Sequence, residues 1–415
     1  MVKDIESSKT PPPIGFPRQI CARLFFLFLF ISIFGFAAWG QSLGNEGATK
    51  GDVCAEADQA LKAGLWESAH RGYVECLTRD AKNLEVLSNL GVTLTRLGRT
   101  EEAIQTYRKA LAVSPNNPNV HLNLALALIK GDKYESAIDQ LLPLQKQDPD
   151  NYQVTELLAF CYFHLQRYSL AAREAERVQR ARPDDGANAL ILGSAYTRMG
   201  LYQKAVPLIA LAMKSAGSAD GHLIMAQAFL GLRLYRSARD ELSQAAALQP
   251  DLPGLHSAMG MAKVGLGDSE GSIADFTKAL RTDPTDYEAN YYMGRLERLE
   301  GNLGTAREYL TKALNSRPES AEVLFEFAAL AMAERNYSKA EPLLNAIIRQ
   351  HPDHAEAHFL LSQLYRKTGR VDSARREQMT FEKLRRQQEE SSQRKGQGVP
   401  PQEESSSTPG GPSQR

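Results

Sequence analysis

The chain has 415 residues, with 49 Lys plus Arg against 49 Asp plus Glu, and is 43% hydrophobic, 24% charged and 8% aromatic. Balanced charge gives the whole chain no basic field that would draw it to nucleic acid or anionic lipid, so no nucleic-acid partner is expected. So few aromatics suit many modest helix interfaces better than one large core.

At the N-terminus, Arg18 and Arg23 precede an uncharged, Phe-rich run from Leu24 to Trp39, and the polar segment Gln41 to Lys50 follows. With small residues at Ala38 and Gly40, this reads as a signal peptide over 1–40, cleaved after Gly40, and a linker over 41–49. The alternative is a retained signal anchor, with membrane attachment through residues 24–39, although the run is shorter than the roughly 20 residues of an ordinary span. Either way the basic flank predicts that the rest of the chain lies outside the cytoplasm, periplasmic or extracellular in the cell envelope. No cysteine follows the run, so lipid attachment there is not expected.

From Ala57 onward a small residue recurs 34 positions apart, with one step of 33: Ala57, Gly91, Ala125, Ala159, Gly193, Ala226, Gly260, Gly294, Ala328 and Ser362. A second small residue follows each twelve positions later, from Ala69 to Ala374. Such a period marks a repeat protein. In the second copy Leu87, Leu90, Gly91 and Leu94 share one helical face, Gly98 breaks the pattern, and Ala103, Tyr107 and Ala110 resume it until Pro115. Each copy is therefore helix, tight turn, helix, turn, with the small residues where two helices cross closely.

These residues resemble the tetratricopeptide repeat (TPR) family, and the pattern persists in later copies. The fourth reads Thr155, Leu158, Ala159, Tyr162, Ala171, Ala175, Val178, Pro183, and the eighth Asn290, Met293, Gly294, Glu297, Ala306, Leu310, Ala313, Pro318. The resemblance implies an all-α, right-handed solenoid of about ten repeats over residues 50–388, starting near 50, 84, 118, 152, 186, 219, 253, 287, 321 and 355. Ala81 and Gly217 stand where proline is usual, and the missing residue falls in Lys214 to Ser218, as a hinge or a tolerated deletion.

The family lines a concave groove with the first helices of its repeats. Carried onto this chain, the groove positions of the third and fourth copies are Leu122, Leu126, Ile129, Phe160 and Phe163, an apolar trough. Those of the eighth to tenth are Tyr291, Arg295, Arg298, Phe325, Arg366 and Lys367, a basic floor with aromatics. The resemblance implies a noncatalytic scaffold that binds a protein or peptide partner, either an adaptor or assembly factor or a noncatalytic subunit of an envelope enzyme or glycan-export complex. No motif for catalysis, cofactor or small-molecule substrate stands out.

Two clusters remain. Cys54 and Cys76 fall at similar heights on the two helices of the first copy; a disulfide there is one reading, and free thiols, with Cys54 toward the groove and Cys76 toward the partner helix, the other. His354 and His358 are spaced to share a metal with His351 nearby, but His358 repeats a packing position also held by His121, His222 and His256, so no metal site is expected. Beyond the last copy, Met379, Phe381 and Leu384 provide an inward face for an end cap. The Gln, Ser, Pro and Gly-rich segment from Glu389 to Arg415 is predicted to be disordered.

Overall fold

The computed structural model describes residues 52–214 and 217–396, with side chains to 390. The expected leader with Cys21, the linker over 41–49, residues 397–415 of the tail and part of the Lys214 to Ser218 segment lie outside the described residues. Twenty helices and no strand occur among the described residues, which divide into two compact units between Ser272 and Ile273.

The first unit contains six hairpins: α1 (Val53–Lys62) with α2 (Trp66–Arg79), α3 (Leu84–Arg96) with α4 (Thr100–Val113), α5 (Pro118–Lys130) with α6 (Tyr134–Gln147), α7 (Tyr152–His164) with α8 (Tyr168–Ala181), α9 (Gly186–Arg198) with α10 (Tyr202–Met213), and α11 (Ala219–Gly231) with α12 (Tyr235–Leu248). It closes with α13 (Leu255–Leu266) and the start of α14 (Ser269–Thr282), whose remainder opens the second unit. There α15 (Tyr287–Glu300) pairs with α16 (Leu303–Ser316), α17 (Ala321–Ala333) with α18 (Tyr337–Gln350), and α19 (Ala355–Lys367) with α20 (Val371–Gly396). Odd-numbered helices are the first of each copy and even-numbered helices the second. The helical solenoid is thus present copy by copy.

Local chemistry sets these boundaries. First helices begin at capping side chains: Asn83, Asn117, Asn151, Asp185, Asp286 and Ser320 each accept the backbone N–H three residues on, at 2.7–3.2 Å. Every first helix ends just before a residue of positive φ, from Gly64 to Gly369, with φ of 56–89°. That left-handed residue reverses the chain so that the second helix begins two residues later. Glycine holds the position in six copies; Asp132, Gln166, Arg233 and Arg335 hold it in the others at some steric cost.

The small residues lie where the helices cross. Ala125, Ala159 and Ala226 on first helices and Ala103, Ala137 and Ala171 on second helices are fully buried. At Gly91 the space a Cβ would need is filled by the Tyr107 ring, and at Gly294 an added Cβ would lie 2.7 Å from Leu310. Close approach brings the larger side chains into contact, and dispersion and apolar burial stabilise the pair.

In the first hairpin Cys54 and Cys76 are joined by a disulfide, with Cα atoms 5.7 Å apart. The bond ties the short α1 to α2 where the described array begins. Cys161 is a buried thiol whose pKa burial pushes up.

The final helix departs from expectation twice. It runs to Gly396, past the predicted start of disorder at Glu389, because a stretch rich in Arg, Gln and Glu favours helix and Arg385 pairs with Glu389 one turn on at 3.0 Å. Met379, expected to face inward, is exposed, whereas Phe381 packs on Phe359 with ring centroids 5.0 Å apart.

Gly91→Leu is expected to destabilise the chain by about 1–3 kcal/mol through overpacking against Tyr107, measured as a loss of melting temperature. Reduction of Cys54–Cys76 is expected to remove about 3 kcal/mol of local stability. Amide exchange should then accelerate in α1 and α2 and stay unchanged beyond α5.

Candidate interaction surfaces on the first helices

The five residues expected to form an apolar trough separate into two groups. Leu122 and Leu126 on α5 and Phe163 on α7 are partly exposed and pack against the core from its edge. Ile129 and Phe160 are only 2% and 1% exposed and belong to the core itself. For Phe160 the cause is visible: its ring meets His164 at 4.3 Å and the edge of Tyr134 at 6.2 Å. A pattern carried from a family gives a direction from the helix axis; neighbouring side chains decide whether that direction reaches solvent.

The aromatics responsible stand at the first residue of the second helices. Trp66, Tyr134, Tyr168, Tyr202 and Tyr235 recur with the repeat, and each meets the last or second-last residue of the following copy's first helix. Arg96 lies over Trp66 at 5.8 Å, His164 stacks on Tyr134 at 4.7 Å, and Arg198 lies over Tyr168 at 5.6 Å. In the next two copies that partner is Gly231 or Gly265, and a Cβ on either would collide with the Tyr202 or Tyr235 ring. The spacing of these aromatics was visible in the sequence, but that Phe160 is covered depends on the approach of the neighbouring copy.

Consequences follow for polarity. His164 is stacked and desolvated, which pulls its pKa down to about 4, so it is neutral at physiological pH, and its Nε2 is buried with no hydrogen-bond partner. In the two copies with the closest packing, the groove positions Ser194 and Gln227 are buried as well.

In the second unit the expected basic floor is partly neutralised. Glu326 on α17, 3% exposed, accepts from Arg298 Nε at 2.7 Å and lies 3.7 Å from Arg295 Nε. Two guanidinium groups therefore share one buried carboxylate, which leaves a smaller field than four free cations would give. Tyr291 stacks on Tyr287 with centroids 6.2 Å apart, and burial raises its pKa well above the ordinary tyrosine value. Phe325 stacks on His354 at 5.5 Å. Arg366 and Lys367, at the end of α19, are exposed.

The histidines are engaged in structure. His354 Nδ1 accepts the Ala357 N–H at 3.2 Å as the cap of α19. His358 lies 2.6 Å from Glu377 Oε2 and 3.1 Å from the Pro352 carbonyl. No group of three or more His, Cys, Asp or Glu side chains among the described residues is arranged to hold a metal.

One carboxyl on the same first helix as Phe163 titrates in an unusual range. Glu156 on α7 is largely desolvated, and Asp185 adds repulsion; together they push its pKa up to about 7, against the opposing pull of Arg182. Arg182 Nη1 is 3.2 Å from Glu156 but also 3.7 Å from Asp185, so its charge is divided and burial wins. The folded chain keeps a proton that the unfolded chain releases near pH 4.5, so this group makes stability fall as pH rises from about 4.5 to 7, with no further change above. Glu156→Gln is expected to flatten that slope and to stabilise the chain at pH 8 by about 2 kcal/mol, with little effect at pH 4, measured by denaturant unfolding across pH.

Comparison with known proteins agrees with the repeat architecture. A family model described as the cytochrome c-type biogenesis protein H TPR domain matches residues 75–189, and tetratricopeptide repeat models match 257–321, 297–353 and 331–377. No curated protein matches the chain. Among solved structures, a tetratricopeptide repeat protein from Parabacteroides merdae ATCC 43184 shares 17% identity over 56% of this chain and 92% of its own, with a TM-score of 0.46. MamA AMB-1 shares 23% identity over 39% of this chain and 94% of its own, at 0.36. A MamA fragment, 41-end, from Desulfovibrio magneticus RS-1 shares 16% over 41% and 96%, at 0.37. The helical hairpins, their small-residue crossings and the family matches together make this chain a tetratricopeptide repeat protein, a fold that serves as a protein-interaction scaffold.

Proposed function

We propose that this protein is a noncatalytic adaptor or assembly factor, exported to the cell envelope, that holds a peptide or helical segment of a partner protein along its first helices. The observation that carries the reading is the half-buried apolar strip of Leu122, Leu126 and Phe163, narrower than the sequence suggested because Ile129 and Phe160 are withdrawn. Leu122 and Leu126 are one turn apart on α5, a spacing that suits an amphipathic helix or the alternate side chains of an extended segment. In the second unit Arg366 and Lys367 offer exposed positive charge to an acidic stretch. Export is supported by Arg18 and Arg23 before the apolar run of Leu24 to Trp39.

A second reading keeps that run as an anchor and makes the chain a noncatalytic subunit of an envelope enzyme or glycan-export complex. The match over 75–189 to a domain named for a cytochrome c biogenesis protein favours an assembly role in either case.

A photo-crosslinking residue at Leu126 in the native cell, followed by mass spectrometry, is expected to capture one dominant protein, and the same probe at exposed Glu308 is expected to capture none. A diffuse product at both positions would remove the strip as a binding site. Fractionation with intact-mass measurement separates the two readings: a shortened soluble chain supports export with cleavage, and a full-length, detergent-dependent chain supports the anchored subunit.

A further inference from the structure

The starts of the second helices in the first six copies break the rule that the first helices of those copies obey. Where Asn, Asp and Ser cap the first helices, the corresponding residues of the second helices are Leu65, Arg99, Lys133, Arg167, Leu201 and Leu234, and none makes a side-chain capping bond. An uncapped start costs roughly 1 kcal/mol, and a cation there also opposes the helix dipole. Arg99 and Lys133 are compensated by Glu102 and Glu101. The connecting segments of the fourth to sixth copies, residues 164–170, 198–204 and 231–237, contain Arg167, Arg198, Lys204, Arg233 and Arg236, and no Asp or Glu.

Leucine at these starts is not explained by burial. Leu201 is 36% exposed and Leu234 48%, and Met199 beside them is 41% exposed. At the left-handed Gly200 both flanking side chains, Met199 and Leu201, are exposed at the end of the hairpin; at Arg233 only the following Leu234 is, while Leu232 packs against the core. Arg167, Lys204, Arg233 and Arg236 are exposed along the same row of turns. The row is bounded on both sides by acid: Asp132 and Glu135 in the third copy, Asp268 and Glu270 in the seventh. Asp268 restores an ordinary cap by accepting the Gly271 N–H at 2.9 Å.

We infer that this edge, the hairpin turns of the fourth to sixth copies, docks on an anionic lipid surface. Apolar tips on two successive turns, Met199 and Leu201 in the fifth copy and Leu234 in the sixth, with cations in all three segments and no acid in any of them, fit the boundary between acyl chains and negatively charged headgroups: the tips enter the apolar layer and the cations meet phosphate. A protein partner would need a surface shaped to the tips of two turns, whereas a bilayer requires no such match. The whole chain is neutral, so the attraction is local to this edge. It is independent of the apolar strip on the first helices and of the N-terminal apolar run.

The test is amide exchange on the full chain with vesicles of phosphatidylglycerol and phosphatidylcholine, compared with phosphatidylcholine alone. Slowed exchange in peptides covering 198–204 and 231–237, with anionic vesicles only and reversed by high salt, is the expected result. Because the readout is local, insertion of residues 24–39 does not mimic it. Arg167→Gln with Arg236→Gln should reduce that protection by roughly tenfold or more in the vesicle concentration needed. Leu201→Asp with Leu234→Asp should abolish it while raising the melting temperature, since each substitution supplies a missing cap. Loss of binding in a more stable protein cannot be ascribed to misfolding. The inference is overturned if anionic vesicles leave both segments unprotected, if neutral vesicles protect them equally, or if polyglutamate protects them and vesicles do not, which would assign the edge to an acidic protein.

Discussion

The close crossing of two helices within each copy is the contact on which the rest depends. It requires a residue with almost no side chain on one helix, as at Gly91, facing a large one on the other, as at Tyr107. Because the requirement returns every 34 residues, the same local solution is stacked repeatedly. Stability in such an array is a sum of hairpin and neighbour terms rather than the property of one core. The disulfide between Cys54 and Cys76 strengthens the first of these terms, where α1 has a neighbour on one side only among the described residues.

Function is shaped by a second contact, between copies. In five copies a ring at the start of the second helix meets the end of the next first helix, and the residue at that end sets how close the approach is. Arg96, His164 and Arg198 lie on the rings of Trp66, Tyr134 and Tyr168, whereas Gly231 and Gly265 let the backbone come against Tyr202 and Tyr235. The inter-copy packing buries some groove positions and leaves others open, so the surface offered to a partner differs from copy to copy although the fold does not. Buried charge follows the same logic: Glu326 gathers Arg295 and Arg298, and burial with repulsion from Asp185 raises the pKa of Glu156 to about 7 against the pull of a shared Arg182.

Two kinds of surface therefore coexist in the first unit. One is the narrow apolar strip on the first helices; the other is the row of turns where leucine and arginine stand in place of caps. The turns give up local helix stability, and sites that depart from the locally favoured residue without an internal reward are where interaction with something outside the fold is to be sought.

The period, the small residues and the proline stops determined the helical hairpins from sequence alone, because a tight crossing admits so few residue types that the pattern cannot be hidden. The recurring aromatic at the start of the second helix was equally visible at Tyr134 and Tyr168, yet its effect on Phe160 was not, since it depends on how near the next copy lies. The tertiary structure alone decided that Ile129 and Phe160 are core, that Arg295 and Arg298 share one buried carboxylate, and that Leu201 and Leu234 project into solvent. The physical reason is the range of the interactions: backbone propensity and small-residue contact act within one hairpin and are written in contiguous residues. Exposure and charge pairing are set by side chains of the neighbouring copy, whose approach no single copy encodes.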